Sequence, residues 1–228
     1  MPTLRLLSYN VRSLRDDAEA VARVIRDAEP HVVCVQEAPR LARWRSKCAA
    51  LARRSGLVVV GGGRPAGANL ILSTLGVEVQ VTRDVRFTTD PRLHHRGAAL
   101  ALLSLRGARF AVAGTHLDLV PGPRLRHVGE LHRVLDSFAG GVPSVVAGDI
   151  NDVPESQPWS LLGRARPDAF AVAGAGTGFT YSATSPARRI DGVFADQRLA
   201  VRSATVLDSA DVPLASDHRP LLVELELE

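Results

Sequence analysis

Polar side chains stand next to several short apolar runs in this chain, where predicted strands stop or, for the last pair, where the final strand is about to begin. They comprise carboxylates, two amides and two histidines: Asn10, Glu37, His116 with Asp118, Asp149 with Asn151, and Asp217 with His218. A strand end holds a side chain rigidly at the rim of a sheet, where a substrate can reach it. Each residue taken singly has an ordinary explanation as a turn or capping residue. Together they form a set of hard oxygen ligands beside two imidazoles.

This set has the chemistry that phosphoryl transfer requires. A cation held by oxygen ligands neutralises charge on a phosphate, and neighbouring side chains move protons on the attacking water and the leaving oxygen. The residues therefore predict a metal-dependent phosphoesterase.

The apolar pattern predicts an α/β chain that holds these residues in place. A strand, helix and strand are followed by a block of antiparallel-looking strands and then by a second passage of helix and strand, which indicates two packed sheets with outer helices. Predicted strands cover 4–9, 32–36, 57–60, 70–72, 77–81, 98–105, 110–113, 145–147, 201–207 and 221–227, and predicted helices cover 21–28, 40–54 and 125–138.

Composition limits the class of protein. The 228 residues are 46% apolar, enough for a substantial core, and we expect one domain over residues 1–228. No charge-free run is long enough to span a membrane, and no secretory leader pattern begins the chain. Cys34 and Cys48 lack metal-ligand spacing, which is typical of free thiols in a reducing compartment. We therefore expect a cytoplasmic monomer without a membrane span.

The formal net charge is +4, and Lys47 is the only lysine. A basic balance fits an anionic substrate. Arginine in place of lysine can also reflect the base composition of the gene alone.

Seven short motifs follow one another along almost the whole chain. They are LSYN at 7–10, VQE at 35–37, GANLILS at 67–73, GTHLD at 114–118, GDIN at 148–151, RIDGVF at 189–194 and SDHRPL at 216–221. This series resembles the endonuclease/exonuclease/phosphatase superfamily, which includes pancreatic deoxyribonuclease, apurinic endonucleases, neutral sphingomyelinases and inositol polyphosphate 5-phosphatases. The resemblance implies a four-layer α/β sandwich, in which two packed mixed β-sheets are flanked by helices and the site lies at one edge of the sheets.

The resemblance also implies a metal site. Glu37 would be the principal ligand, with Asn10 and Asp217 close to the ion directly or through water. Oxygen donors without cysteine favour Mg²⁺ or Mn²⁺ over zinc.

Five further residues match catalytic positions of the superfamily. Asp149 would orient or deprotonate the attacking water, and Asn151 would hold that water or a phosphate oxygen. His218 would bind a phosphate oxygen or act as the base, while Asp191 fixes its tautomer and raises its pKa. Asp149 and His218 both remain candidates for the base. His116 matches a histidine that contacts phosphate or protonates the leaving oxygen, and we expect it to face His218 across one phosphate-sized space.

Two residues are candidates for substrate binding. Arg96 matches an arginine that several relatives present to the phosphate, and its alternative is a surface salt bridge. Asn69 either contacts a phosphate oxygen or completes a turn.

The substrate class stays open between several phosphate esters. We expect a phosphodiesterase, or nuclease-like hydrolase, acting on nucleic acid or on a smaller diester. A phosphomonoesterase acting on a sugar, inositol or lipid phosphate is the alternative, and a non-catalytic binding protein that retains the fold is another. Aromatic residues make up only 4% of the chain and no basic run is interleaved with them, so a stacking platform for single strands is not visible.

Overall fold

The computed structural model describes residues 1–90 and 92–227, which form two β-sheets with helices on their outer faces. The strands are β1 (Thr3–Asn10), β2 (Val32–Gln36), β3 (Val58–Gly63), β4 (Asn69–Ser73), β5 (Val77–Arg86), β6 (Gly97–Leu105), β7 (Ala108–His116), β8 (Ser144–Asp149), β9 (Asp191–Ala195), β10 (Ala200–Val206) and β11 (Leu221–Glu226). The helices are α1 (Ala18–Asp27), α2 (Trp44–Arg54), α3 (Pro121–Ala139), α4 (Gln157–Ala165), α5 (Ala169–Ala173) and α6 (Val212–Ala215), with short 3-10 turns at Arg12–Leu14 and Arg64–Ala66.

Both sheets are mixed. The six-stranded sheet has the order β10-β11-β1-β2-β4-β3, and within it only β1 and β2 run parallel. The five-stranded sheet has the order β5-β6-β7-β8-β9, and within it only β7 and β8 run parallel. In each parallel pair a helix connects the strands, because parallel neighbours need a crossover.

The registers of these strands bring the chemically active residues together. Asn10 pairs with Gln36 at the end of β1 and β2, directly before Glu37. His116 pairs with Asp149 in the β7/β8 ladder, and Asp149 pairs with Asp191 on the other side. The active residues of each sheet therefore lie at the ends of adjacent strands.

Three apolar cores separate four layers. The middle core fills the space between the two sheets and includes Leu6, Cys34, Ile71, Phe110, Val112 and Val223. A second core joins α1 and α2 to the outer face of the six-stranded sheet. A third joins α3 and α4 to the outer face of the five-stranded sheet. The predicted four-layer α/β sandwich is confirmed.

Local sequence explains the outer helices. Helix α1 begins after Asp17, whose carboxylate accepts the backbone N–H groups of Glu19 (2.8 Å) and Ala20 (3.0 Å), and its buried face includes Val21 and Ile25. Helix α3 is 19 residues long and buries an apolar stripe. In the described part of the chain, no helix has both the length and the apolar character needed to cross a membrane.

Two of the differences between the predicted and the observed elements have a local cause in the sequence. The helix predicted over 40–54 begins only at Trp44, because Arg43 adopts a left-handed conformation (φ 58°) that an α-helix does not contain. Strand β9 is missing from the prediction because its five residues include Gly192 and give too short an apolar pattern.

Candidate active site

The two sheets meet at a cluster of buried polar side chains. Nδ2 of Asn10, at the end of β1, donates to Oδ2 of Asp149, at the end of β8, over 3.0 Å. This bond connects the six-stranded sheet to the five-stranded sheet. The predicted residues from both sheets therefore belong to one site.

Asp149 lies at the centre of this cluster. Its Oδ2 atom is 3.3 Å from Nε2 of His116 and 3.7 Å from Nε2 of His218, while Oδ1 accepts the backbone N–H of Asn151 over 2.9 Å. Burial, reinforced by the negative charge of Asp191, raises the pKa of Asp149 to about 7, although His218 and Asn10 oppose the shift. The two imidazoles expected to face each other thus approach the same carboxylate oxygen.

His218 is held by a second carboxylate. Its Nδ1 atom lies 2.9 Å from Oδ2 of Asp191, and its ring packs against Tyr181 with 5.0 Å between centroids. Burial alone would lower the pKa of His218, but the carboxylates of Asp191, Asp149 and Asp217 together outweigh burial and raise it to about 10. His218 is therefore protonated at neutral pH and carries a donor proton on each ring nitrogen, of which the one on Nδ1 is donated to Asp191.

His116 has the opposite electrostatic environment. Burial lowers the pKa of His116 well below its ordinary value, and the positive charges of Arg96 and His218 lower it further. Nε2 of His116 lies 2.9 Å from Nδ2 of Asn151 and 3.3 Å from Oδ2 of Asp149. Asn151 donates to the backbone carbonyl of Leu117 over 3.0 Å, which fixes the amide.

Glu37 stands at the mouth of the site. It follows β2 with a left-handed backbone (φ 51°), and its Oε1 atom lies 3.4 Å from Nδ2 of Asn10. The side chain lines a cavity and forms no ion pair with any described residue. A carboxylate without an ion pair, at a cavity, fits a hard divalent cation.

Asn10 presents its amide nitrogen to the carboxylates. Its Oδ1 atom accepts the backbone N–H of Arg12 over 3.0 Å, while Nδ2 reaches both Glu37 and Asp149. In this arrangement Asn10 orients the two carboxylates. Its role as a metal ligand stays a prediction.

Asp217 lies beside the site with a different partner. Its carboxylate is 3.5 Å from Nε of Arg12, and its side chain is 33% exposed.

The described residues contain one group of at least three carboxylate, histidine or cysteine ligands within 4.8 Å of one another, and it consists of Asp149, Asp191 and His218. Oδ1 of Asp191 is buried without a hydrogen-bond partner. The chain thus offers oxygen donors both at Glu37 and at Asp191, while Asp217 as a metal ligand stays a prediction.

Arg96 brings a buried positive charge to the site. It is only 9% exposed, its Nε atom has no hydrogen-bond partner, and it lines a cavity of about 300 Å³ together with Glu37 and His116. Burial lowers the pKa of Arg96, and the carboxylates of Asp149, Asp118 and Glu37 oppose this shift. The surface salt bridge considered for Arg96 is absent among the described residues.

Asn69 supports the position of Arg96. Its Nδ2 atom donates to the backbone carbonyls of Ala66 (2.8 Å) and Gly97 (2.9 Å), and the side chain is completely buried. These bonds join the turn before β4 to the start of β6, directly after Arg96. The geometry thus gives Asn69 a role in holding the turn.

Two positioning residues lie outside the predicted set. The Ser216 hydroxyl donates to the backbone carbonyl of Asn10 over 2.7 Å, which fixes the segment that carries His218. Arg124 donates to the carbonyls of Asp118 (2.8 Å) and Leu119 (2.6 Å) and pairs with Asp152, so it joins the loops that follow His116 and Asn151. Ser216 belongs to the SDHRPL motif, whereas Arg124 gives no signal in the sequence.

Comparisons with solved structures agree with this architecture. The chain is similar to the endonuclease/exonuclease/phosphatase from Bacteroides vulgatus, with 23% identity, a TM-score of 0.85 and coverage of 100% of both chains. It is similar to the Bacteroides thetaiotaomicron mannosyl-6-phosphatase, with 17% identity, a TM-score of 0.85 and coverage of 98% of this chain and 100% of the other. It is also similar to D. rerio TDP2 complexed with single strand DNA product, with 16% identity, a TM-score of 0.77 and coverage of 99% of this chain and 100% of the other.

Sequence comparison gives a family for the chain. A search of curated proteins found no match. The model of the Endonuclease/Exonuclease/phosphatase family matches residues 7–218, which include every site residue described above. On this match, supported by the shared fold, the chain belongs to the Endonuclease/Exonuclease/phosphatase family.

Proposed function

We propose that this chain is a divalent-metal-dependent phosphoesterase that hydrolyses phosphodiester bonds by in-line attack of water. The observation that carries the proposal is the pair of histidines on one buried carboxylate. Neutral His116 and protonated His218 both approach Oδ2 of Asp149, beside a cavity that Arg96 lines. Such a site offers a base, a proton donor and a cationic phosphate contact within one space.

Asp149 is the general base in this proposal. A pKa raised to about 7 makes the carboxylate a competent proton acceptor close to neutral pH. His218 is already protonated beside Asp191, so it donates a hydrogen bond to a non-bridging phosphate oxygen. Asn151 orients the attacking water or a phosphate oxygen through its amide.

His116 and Arg96 act on the phosphate. Neutral His116 contacts the phosphate or the leaving oxygen through its ring nitrogens, and Arg96 stabilises the negative charge that the equatorial oxygens carry in the transition state. The free Nε of Arg96 supports this role, because a buried guanidinium without a partner retains its capacity to donate.

Glu37 would hold the cation, with Asn10 orienting its carboxylate and Asp217 nearby. Bound Mg²⁺ or Mn²⁺ would neutralise charge on the phosphate. The absence of cysteine from this oxygen-rich set supports a hard cation.

Chelation tests the metal requirement. Activity of the purified protein on bis-nitrophenyl phosphate should disappear with EDTA and return with Mg²⁺ or Mn²⁺, because the proposed mechanism needs a cation at Glu37, in addition to Arg96, to neutralise charge on the phosphate. Hydrolysis rates measured before and after chelation decide the matter. Full activity in the presence of chelator would refute the mechanism.

Phosphomonoester hydrolysis is the second candidate. The structural likeness to a mannosyl-6-phosphatase supports it. Nitrophenyl phosphate tested beside bis-nitrophenyl phosphate discriminates the two functions, since a diesterase hydrolyses the second compound faster. A binding protein without activity would hydrolyse neither.

The cellular setting completes the proposal. We propose a cytoplasmic monomer whose domain covers residues 1–228. The buried free thiols of Cys34 and Cys48 support a reducing compartment.

A further inference from the structure

A second cavity adjoins the candidate active site. It has a volume of about 560 Å³ and shares Arg40, Gly67, Ala68 and His95 with the cavity that contains Glu37 and Arg96. We call it the arginine groove, after the four arginines that line it: Arg40, Arg43, Arg64 and Arg86. A ligand bound at the site can therefore continue into this groove.

The charges of the arginine groove are not compensated. No carboxylate is among the described residues that line it, and none of its four arginines forms an ion pair within residues 1–90 and 92–227. Several arginines elsewhere on the surface do pair, such as Arg23 with Asp211 and Arg219 with Asp208. Like charges gathered without a counterion create a positive potential that attracts anions.

The backbone holds these arginines in one place. Nε of Arg86 donates to the backbone carbonyl of Pro65 over 3.2 Å, next to Arg64. Trp44 packs so closely on Gly63 that a Cβ there would lie 2.4 Å from Cζ3 of the indole, which joins the loop with Arg40 and Arg43 to β3. The groove is thus built from two segments held against each other.

The exposed donors of the arginine groove are guanidinium groups. The guanidinium of Arg45 covers the Trp44 ring at 4.4 Å from its centroid, and Gly63 packs against the edge of the same ring. The indole therefore serves as a wall of the groove, while exposed guanidinium groups remain as the donors. Guanidinium forks match the geometry of phosphate oxygens.

We propose that the arginine groove binds a second phosphate group of the substrate, next to the phosphate that is cleaved. The inference rests on the proposed phosphoesterase function and specifies its substrate class. Two sources share this chemistry, namely the neighbouring phosphate of a single nucleic-acid strand and the second phosphate of a small ester. Arg40, which lines both cavities, would lie between the two phosphates.

Charge-neutralising variants test the groove. Arg64→Gln combined with Arg86→Gln should lower kcat/KM on a short oligothymidylate or on a small ester with a second phosphate by at least about tenfold, the scale expected when one charge-assisted hydrogen bond is removed. Activity on bis-nitrophenyl phosphate, which has no second phosphate, should be unchanged. Arg133→Gln with Arg164→Gln removes the same charge from α3 and α4 and serves as the matched control.

Binding measurements give a readout independent of activity. The groove variant is the Arg64→Gln/Arg86→Gln protein. In EDTA, its affinity for a fluorescent oligothymidylate should depend less steeply on salt than that of the wild type. The slope of log K against log salt concentration should be smaller by about 0.7 for each phosphate that the variant no longer neutralises. Fructose 1,6-bisphosphate and glucose 6-phosphate are then used as competitors. A changed oligonucleotide slope identifies a nucleic-acid strand. A small ester is identified if the salt slope for the oligonucleotide is the same in the variant and the wild type, and if fructose 1,6-bisphosphate competes less well in the variant while glucose 6-phosphate competes equally in both.

The outcomes separate this inference from the proposed function. A wild-type protein that hydrolyses no phosphate ester refutes the function, while the binding measurements still test the groove. The second phosphate site would be overturned if the variant lost the same factor in kcat/KM on bis-nitrophenyl phosphate as on the substrates with a second phosphate. It would also be overturned if the variant bound both the oligothymidylate and the bisphosphate as the wild type does.

Discussion

Both carboxylate oxygens of Asp149 are engaged by other site residues. This residue links Asn10 with the two histidines, and its raised pKa depends on burial next to Asp191. The sequence motifs predict these residues, because several motifs place polar residues directly after or directly before a strand. They do not predict that Asp217 pairs with Arg12, since that contact depends on the conformation of the 3-10 turn after β1.

Removing either the proposed base or the proposed phosphate contact should abolish most of the activity. Asp149→Asn removes the base and His218→Ala removes a hydrogen-bond donor to the phosphate, and each is expected to lower kcat by at least about 10²-fold. Steady-state kinetics measure the change, and circular dichroism checks that folding is intact. Asp136→Asn, which alters an exposed carboxylate paired with Arg166, is the control and should retain activity. A His218→Ala protein with wild-type kcat would exclude the role given to this histidine.

His218 also predicts a pH dependence of stability. Its pKa is raised from about 6.5 in the unfolded chain to about 10 in the fold, so its ion pair with Asp191 contributes fully below about pH 6.5. The contribution should be lost as the pH rises through about 10. Urea unfolding of the metal-free wild type and His218→Gln should show a difference in unfolding free energy that narrows over this range. A difference that widens with pH would contradict the predicted sign.

At the scale of the elements, the loop before α2 shows where sequence patterns fail. Apolar spacing predicts a helix from residue 40, yet Arg43 is left-handed and α2 begins at Trp44. Helical spacing marks a buried face but does not report a single left-handed residue such as Arg43. The residues released from the helix line the arginine groove.

The β7/β8 pair depends on a glycine next to Asp149. A Cβ on Gly148 would lie 1.9 Å from the backbone oxygen of Thr115, which cannot move without breaking the ladder. Gly148→Ala should therefore destabilise the protein by about 1–3 kcal/mol or more. Gly163→Ala in α4 is the control, because its Cβ meets open space and a helical alanine should stabilise by about 0.5–1 kcal/mol. Denaturant unfolding measures both, and equal stabilities would contradict the steric argument.

At the scale of the whole molecule, the sequence predicts the layers better than the contacts between them. Alternating and continuous apolar runs indicate strands with buried faces, and the helices have apolar stripes that need a sheet to cover. These patterns indicate two packed sheets with outer helices, and the resemblance of the seven motifs to the superfamily implies the four-layer sandwich. They do not specify which strand ends approach across the two sheets, because that depends on how the middle core packs.

The hydrogen bond between Asn10 and Asp149 joins residues of the two sheets, so the geometry of the site depends on how the sheets pack. Asn10 and Glu37 belong to one sheet, whereas His116, Asp149 and Asp191 belong to the other. When heat or mild acid loosens tertiary packing, helices and strands can persist while sheets slide over one another. A displacement of about 1 Å is enough to cost roughly 10²-fold in rate. Under such conditions the rate at the proposed active site should therefore fall before spectroscopic measures of secondary structure change.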